Sequence, residues 1–190
     1  MKIKVKFLDP SCIEDLADCI LSIANEEGFY DFNSPTPLDL IAEIICGLNI
    51  IFEDLDKDFK GILGIIDVKT KAIWLDDCLN HFETKLLCDE GRCNFTIAHE
   101  IGHYFLHADL FKQGNIRAFH NELSEQSSKI ETQADMFAAR LLMPRELVHK
   151  KWNKDFSSIN NHNERITAMI NFFRTSREAM QYRLDKLGLL

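Results

Sequence analysis

The chain has 190 residues, 46% hydrophobic and 27% charged, with a formal net charge of −8. That is enough for one domain with a real core, and the composition excludes fibrous, low-complexity and membrane-embedded classes. The acidity is uneven: residues 1–144 carry 13 Lys and Arg against 25 Asp and Glu, while residues 145–190 carry 9 against 5. An acidic body argues against wrapping nucleic acid and leaves only a mildly basic tail for such a role.

Taken in order, residues 2–8 alternate Lys with apolar side chains, a weak strand signal, and show no apolar core of an export signal, so a cytoplasmic location is expected. Ser11 is placed to cap a helix running to about Glu26, with Ile13, Leu16, Ala17, Ile20, Leu21 and Ile23 on its inner side. The break Asn33-Ser34-Pro35-Thr36-Pro37 precedes a second helix carrying Leu38, Leu40, Ile41, Ile44 and Ile45, ended by Gly47. Leu48–Phe52, Gly61–Val68 and Ala72–Leu75 read as strands, with an acidic turn at Glu53–Asp58 and another turn at Lys69-Thr70-Lys71. Three short strands beside helices predict an α+β architecture with a small sheet. Apolar stretches such as Leu38–Ile45 and Cys46–Phe52 are far too short for a membrane span.

Residues 76–92 mix charged, polar and Gly residues and read as an irregular loop over the site, with a helix beginning at Asn94 or Thr96. After His107 the chain is expected to turn irregular through Gly114-Asn115, then to resume a helix from about Ser124 to Leu142, stopped by Met143-Pro144. The remainder is helical, broken around Asn160–Asn163 and near Thr175-Ser176. The six cysteines (Cys12, Cys19, Cys46, Cys78, Cys88 and Cys93) include no Cys-x-x-Cys pair, and without an export signal they read as free thiols.

The chemistry concentrates in His99-Glu100-Ile101-Gly102-His103, an H-E-x-x-H sequence. On a helix, residues i and i+4 share a face, so both imidazoles can address one ion while Glu100 reaches a water beside it. A catalytic zinc takes three protein ligands, so a third is required. The extended pattern with a later His is absent, because Leu106 and Asp109 stand at its positions. His107 lies one turn further along the same face; three ligands in a row cannot close a tetrahedron, so it is expected at the helix end near the site rim. The segment from Glu131 to Pro144 offers the better candidate. Glu131 and Asp135 are i and i+4 on a helix whose other faces carry Phe137, Ala138, Leu141 and Leu142, and Ala134 and Ala138 are small enough for close packing. Glu131 then completes a His-His-Glu set, and Asp135 accepts a hydrogen bond from one of the imidazoles. Tyr104, Arg117 and His120 are the candidates for stabilising an oxyanion.

Residues 96–107 followed by 131–144, with residues 38–76 upstream, resemble the ImmA/IrrE family of zinc metallopeptidases. The resemblance implies a thermolysin-like zincin core holding one Zn2+ per chain on His99, His103 and Glu131, with Glu100 as catalytic base. It also implies a protein substrate, a helix-turn-helix transcriptional repressor of a mobile element or stress regulon, relieved by cleavage. The organisation expected is a helical segment over residues 1–34, the metallopeptidase domain over 35–150, and a helical, helix-turn-helix-like segment over 151–190. That tail carries Arg165, Arg174, Arg177, Arg183 and Lys186, and Ser176 is a good cap for its last helix. A docking hairpin is preferred there over a DNA-binding one. The alternative function is a metal-bound module that displaces a repressor without cutting it.

Overall fold

The structure, a computed structural model, describes residues 8–57, 61–80, 87–113 and 125–190. The strand expected over residues 2–8 therefore lies outside the described residues, Leu8 apart. Helix α1 (Pro10–Glu26) is capped by Asp9 rather than Ser11; the Asp9 carboxylate accepts from the Ser11 main-chain N–H at 2.9 Å and from its hydroxyl at 2.6 Å. Pro fits the first turn because no intrahelical N–H is needed there, so the helix begins earlier than its serine suggests. Ile13, Ala17, Ile20, Leu21 and Ala24 form the buried stripe. Ile23, expected inside, sits at the edge of that stripe and is 38% exposed.

Helix α2 (Leu38–Leu40) widens at once into a π turn, Ile41–Ile45, closed by Gly47 in the left-handed region at φ 64°. The wider turn rotates the inner face, burying Ile41, Ala42 and Cys46 while Ile44, expected in the core, points out. Strands β1 (Asn49–Glu53), β2 (Gly64–Asp67) and β3 (Ala72–Asp76) form a mixed sheet of order β1-β3-β2. β1 runs parallel to β3, and β2 runs antiparallel to it with Gly64 opposite Leu75 and Ile66 opposite Ile73. The Asp67 carboxylate accepts from the Lys69 and Thr70 main-chain N–H groups at 2.9 and 3.3 Å, which closes the β2–β3 turn.

Helix α3 (Leu87–Gln113) is longer than expected at both ends. It starts at Leu87, so residues 76–92 are not a loop throughout: β3 ends there, a 3-10 turn spans Asp77–Leu79, and the first turns of α3 follow. Tertiary contacts override the weak local signal in those turns: Cys93 is buried and Glu90 pairs with Arg174 at 3.0 Å. The helix also continues past His107. Helix α4 (Glu125–Leu142) occupies the expected segment and packs along α3. Helices α5 (Arg145–Lys150, prolonged by a π turn, Lys151–Asp155), α6 (His162–Phe173) and α7 (Arg177–Lys186) complete the chain. Asn161 caps α6, Arg174 ends it at φ 50°, and Ser176 caps α7 by accepting from the Ala179 N–H at 3.1 Å.

One buried cluster runs from Ile13 of α1 through the sheet and α3–α4 to Met180 and Leu184 of α7. Part of the tail's positive charge is tied to this body, while Arg174, Arg177 and Lys186 remain exposed. Arg183, 3% exposed, donates to the Met143 carbonyl at 2.9 Å and to the Glu14 carboxylate at 2.5 Å. Arg165 stacks on Trp152 at 4.3 Å, Arg174 pairs with Glu90, and Arg177 donates to the Thr167 hydroxyl at 3.0 Å. Cys12, Cys19, Cys46, Cys78 and Cys93 form no disulfide. Among the described residues no helix is long and apolar enough to cross a membrane.

Candidate active site

Close packing of α3 on α4 creates the site. A Cβ at Gly102 would lie 3.0 Å from Phe137 Cδ1 and 3.3 Å from the Ala134 main chain, so glycine inside H-E-x-x-H lets the two helices approach. Ala134 and Ala138 are fully buried at the same contact, as their size predicts. The exposed faces then meet: one ligand atom from each of His99, His103 and Glu131 lies within 4.8 Å of the others. Glu131 Oε2 is 3.1 Å from His99 Nε2, and its Oε1 is 3.5 Å from His103 Nε2. The other face of the His99 ring is held by Asp135, whose Oδ1 is 2.9 Å from Nδ1.

Glu100 reaches β2, close to Gly64. It is 1% exposed, and its Oε2 has no hydrogen-bond partner among the described residues. Gly64 makes this possible: an added Cβ would clash with Thr96 Cγ2 and come within 3.1 Å of Glu100 Oε1. Burial pushes the Glu100 carboxyl up to about 7, against the pull of His99 and a main-chain hydrogen bond at Ile66.

The remaining charges are organised by burial and by Glu131. Burial opposes protonation of His99, yet the carboxylates of Asp135 and Glu131 hold it up at about 10. His103 is driven down to about 4, chiefly by burial. Burial works against the charge on Glu131, but the two imidazoles hold its carboxyl well below the usual range. A donor set that draws a positive charge into a space between two imidazoles and a carboxylate fits a divalent cation, and these are zinc's preferred donor types.

The other residues singled out from the sequence behave differently. His107 is buried rather than at a rim, because α3 runs on for six residues beyond it; its ring centroid is 5.6 Å from that of His103, and it falls outside the ligand cluster. Tyr104 lies half-buried, its ring 5.4 Å from that of Phe105, and packs against the core. Arg117 and His120 lie outside the described residues. Gly64, which shapes the Glu100 pocket, has no distinctive signal in the sequence, since nothing local to Leu63-Gly64 marks a close approach to a helix 36 residues downstream.

An α+β body with a three-stranded mixed sheet, an H-E-x-x-H helix and a facing carboxylate defines a metallopeptidase-like domain. The chain belongs to the Peptidase_M78 family, the IrrE N-terminal-like domain, which matches residues 47–185. Among solved structures it is similar in fold to a Mycobacterium tuberculosis transcriptional regulator, at 18% identity and a TM-score of 0.56, over 90% of this chain. The chain spans 46% of that regulator's length. No curated protein matches it.

Proposed function

We propose that this chain is a zinc-dependent endopeptidase, acting in the cytoplasm on a specific protein substrate, a transcriptional repressor. His99, His103 and Glu131 would hold one Zn2+, which supplies a Lewis acid that polarises a carbonyl and acidifies water. Asp135 fixes the His99 ring with Nδ1 as the donor, leaving Nε2 turned to the cluster. Glu100 is the proton carrier: Oε2 accepts the proton of the attacking water and delivers it to the leaving amine. Burial raises the Glu100 carboxyl above its ordinary value, which favours its taking up a proton. The observation that carries the proposal is this buried carboxylate with an unpartnered oxygen beside a His-His-Glu cluster. A binding module would have no use for it, and burying it costs stability. The likeness in fold to a regulator agrees with a substrate in transcriptional control.

The test is incubation of the zinc-loaded protein with the repressor encoded beside its gene, with and without a chelator, reading fragments by mass spectrometry and operator binding in parallel. Discrete fragments that disappear with chelator are expected. Loss of operator binding with the repressor left intact would replace cleavage by displacement.

A further inference from the structure

His107 has no part in the proposed chemistry, yet it is 3% exposed and stands one helical turn beyond His103, with ring centroids 5.6 Å apart. Its imidazole donates to the main-chain carbonyl of Ile130, with the Leu106 carbonyl of its own helix as the lesser partner. Nε2 is buried and has no hydrogen-bond partner among the described residues, so the bond to Ile130 falls to Nδ1. Ile130, itself buried, is the residue before Glu131, the one member of the ligand cluster that α3 does not supply. The contact therefore joins the metal-facing row of α3 to the main chain beside the third ligand.

The two helices run antiparallel, and their contacts fix a register. His99 meets Asp135, Gly102 meets Ala134 and His107 meets Ile130, so the partners descend α4 as α3 is climbed. Two of these contacts lie on the C-terminal side of Glu131 and the third on its N-terminal side. The Gly102–Ala134 crossing lets the helices approach, but two small residues offer little to stop one helix sliding over the other. A hydrogen bond has a direction and a length, and does. Packing alone would be better served by an apolar side chain, since an imidazole buried with one idle nitrogen costs stability. What the histidine adds is a donor aimed at α4.

We infer that His107 is a positioning residue: its Nδ1–H bond to the Ile130 carbonyl holds α4 in the register that turns the Glu131 carboxylate towards His99 and His103. The inference deepens the metal-site reading above and rests on it. Metal–ligand distances hold within about 0.2 Å, so a small slide of α4 is enough to cost affinity.

The test uses the full chain with two substitutions: His107→Leu, which keeps bulk and removes the donor, and His107→Asn, whose side-chain amide offers an N–H near the Nδ1 position. Competition with a chromophoric chelator should show zinc binding weakened by about 10- to 100-fold in His107→Leu and largely restored in His107→Asn. The urea midpoint of zinc-free His107→Leu should stay near that of the unaltered protein, a split between metal affinity and stability that a purely structural role would not produce. With cobalt(II) in place of zinc, the visible bands of the unaltered protein and of His107→Asn should coincide, and those of His107→Leu should weaken. Zinc bound as tightly by His107→Leu as by the unaltered protein, or lost as fully by His107→Asn as by His107→Leu, would overturn the inference. A further readout needs no metal: long-range proton–nitrogen spectra of the zinc-free protein, with His107 assigned by its loss in His107→Leu, should place the ring proton on Nδ1. A ring proton on Nε2 would overturn the inference even where zinc binds. If the unaltered protein takes up no zinc while that proton sits on Nδ1, the metal reading fails and takes the positioning role with it, leaving a tie between two helices.

Discussion

Two buried glutamates in this molecule have opposite surroundings. Glu14 on α1 is saturated: Arg183 meets it at 2.5 Å, Arg140 at 3.1 Å and Arg145 at 3.5 Å, binding α1 to α4, α5 and α7. Burial alone would raise its carboxyl, but Arg183, then Arg140 and Arg145, hold it below the ordinary value of 4.5. Glu100 is more deeply buried, meets no guanidinium and keeps one oxygen unpartnered among the described residues, and is pushed the other way. The saturated carboxylate holds the fold together; the unsaturated one is the proton carrier of the proposed reaction. Matching charge to partners serves stability, and leaving a buried charge short of partners serves chemistry.

Breaking each side of this contrast should give distinct results. The largest effect is expected at Glu100. Glu100→Gln keeps the shape but cannot carry a proton, so cleavage should fall by about 100- to 10,000-fold with bound zinc unchanged by metal analysis. At Glu14 the effect belongs to the fold. Glu14→Ala strands Arg183 in the core and should cost about 3–5 kcal/mol in urea unfolding, with no direct effect on zinc stoichiometry in the folded protein. Asp135→Ala comes next: loss of the partner that orients His99 should weaken zinc binding by about 10- to 100-fold, read by competition with a chromophoric chelator.

The smallest effect is the pH response of the clamp. A carboxylate whose folded pKa is depressed adds stability that is present above its unfolded value and is lost as pH falls towards the folded one. The Glu14 contribution should therefore be lost progressively as pH drops below about 4.5, lowering the urea midpoint of the unaltered protein there. Glu14→Gln should flatten that fall. An identical slope in the two proteins would show that other carboxylates govern the acid transition.

Much of the site could be read from the sequence because its geometry is local. His99 and His103, and Glu131 and Asp135, are each i and i+4 pairs, and helical periodicity alone puts each pair on one face. Ala134 and Ala138 announce the close crossing by their size, and the structure adds Gly102 to them. The misses arise where long-range contacts decide. The first turns of α3 look like loop because Gly91 and Asn94 are weak helix formers, yet Cys93 and the Glu90–Arg174 pair hold them. Arg183 counts as part of a basic tail in the sequence because a charge count cannot see Glu14, which takes it into the core. Asp9 displaced Ser11 as a cap because proline can begin a helix, a local rule that the serine obscured.

The central claim is that one metal ion sits between His99, His103 and Glu131. Diffraction data from zinc-loaded crystals on either side of the zinc absorption edge test it directly. A single anomalous peak about 2.0–2.2 Å from one nitrogen of each histidine and one oxygen of Glu131 is the predicted result. A peak held by other side chains, or one that leaves Glu131 unligated, would contradict it.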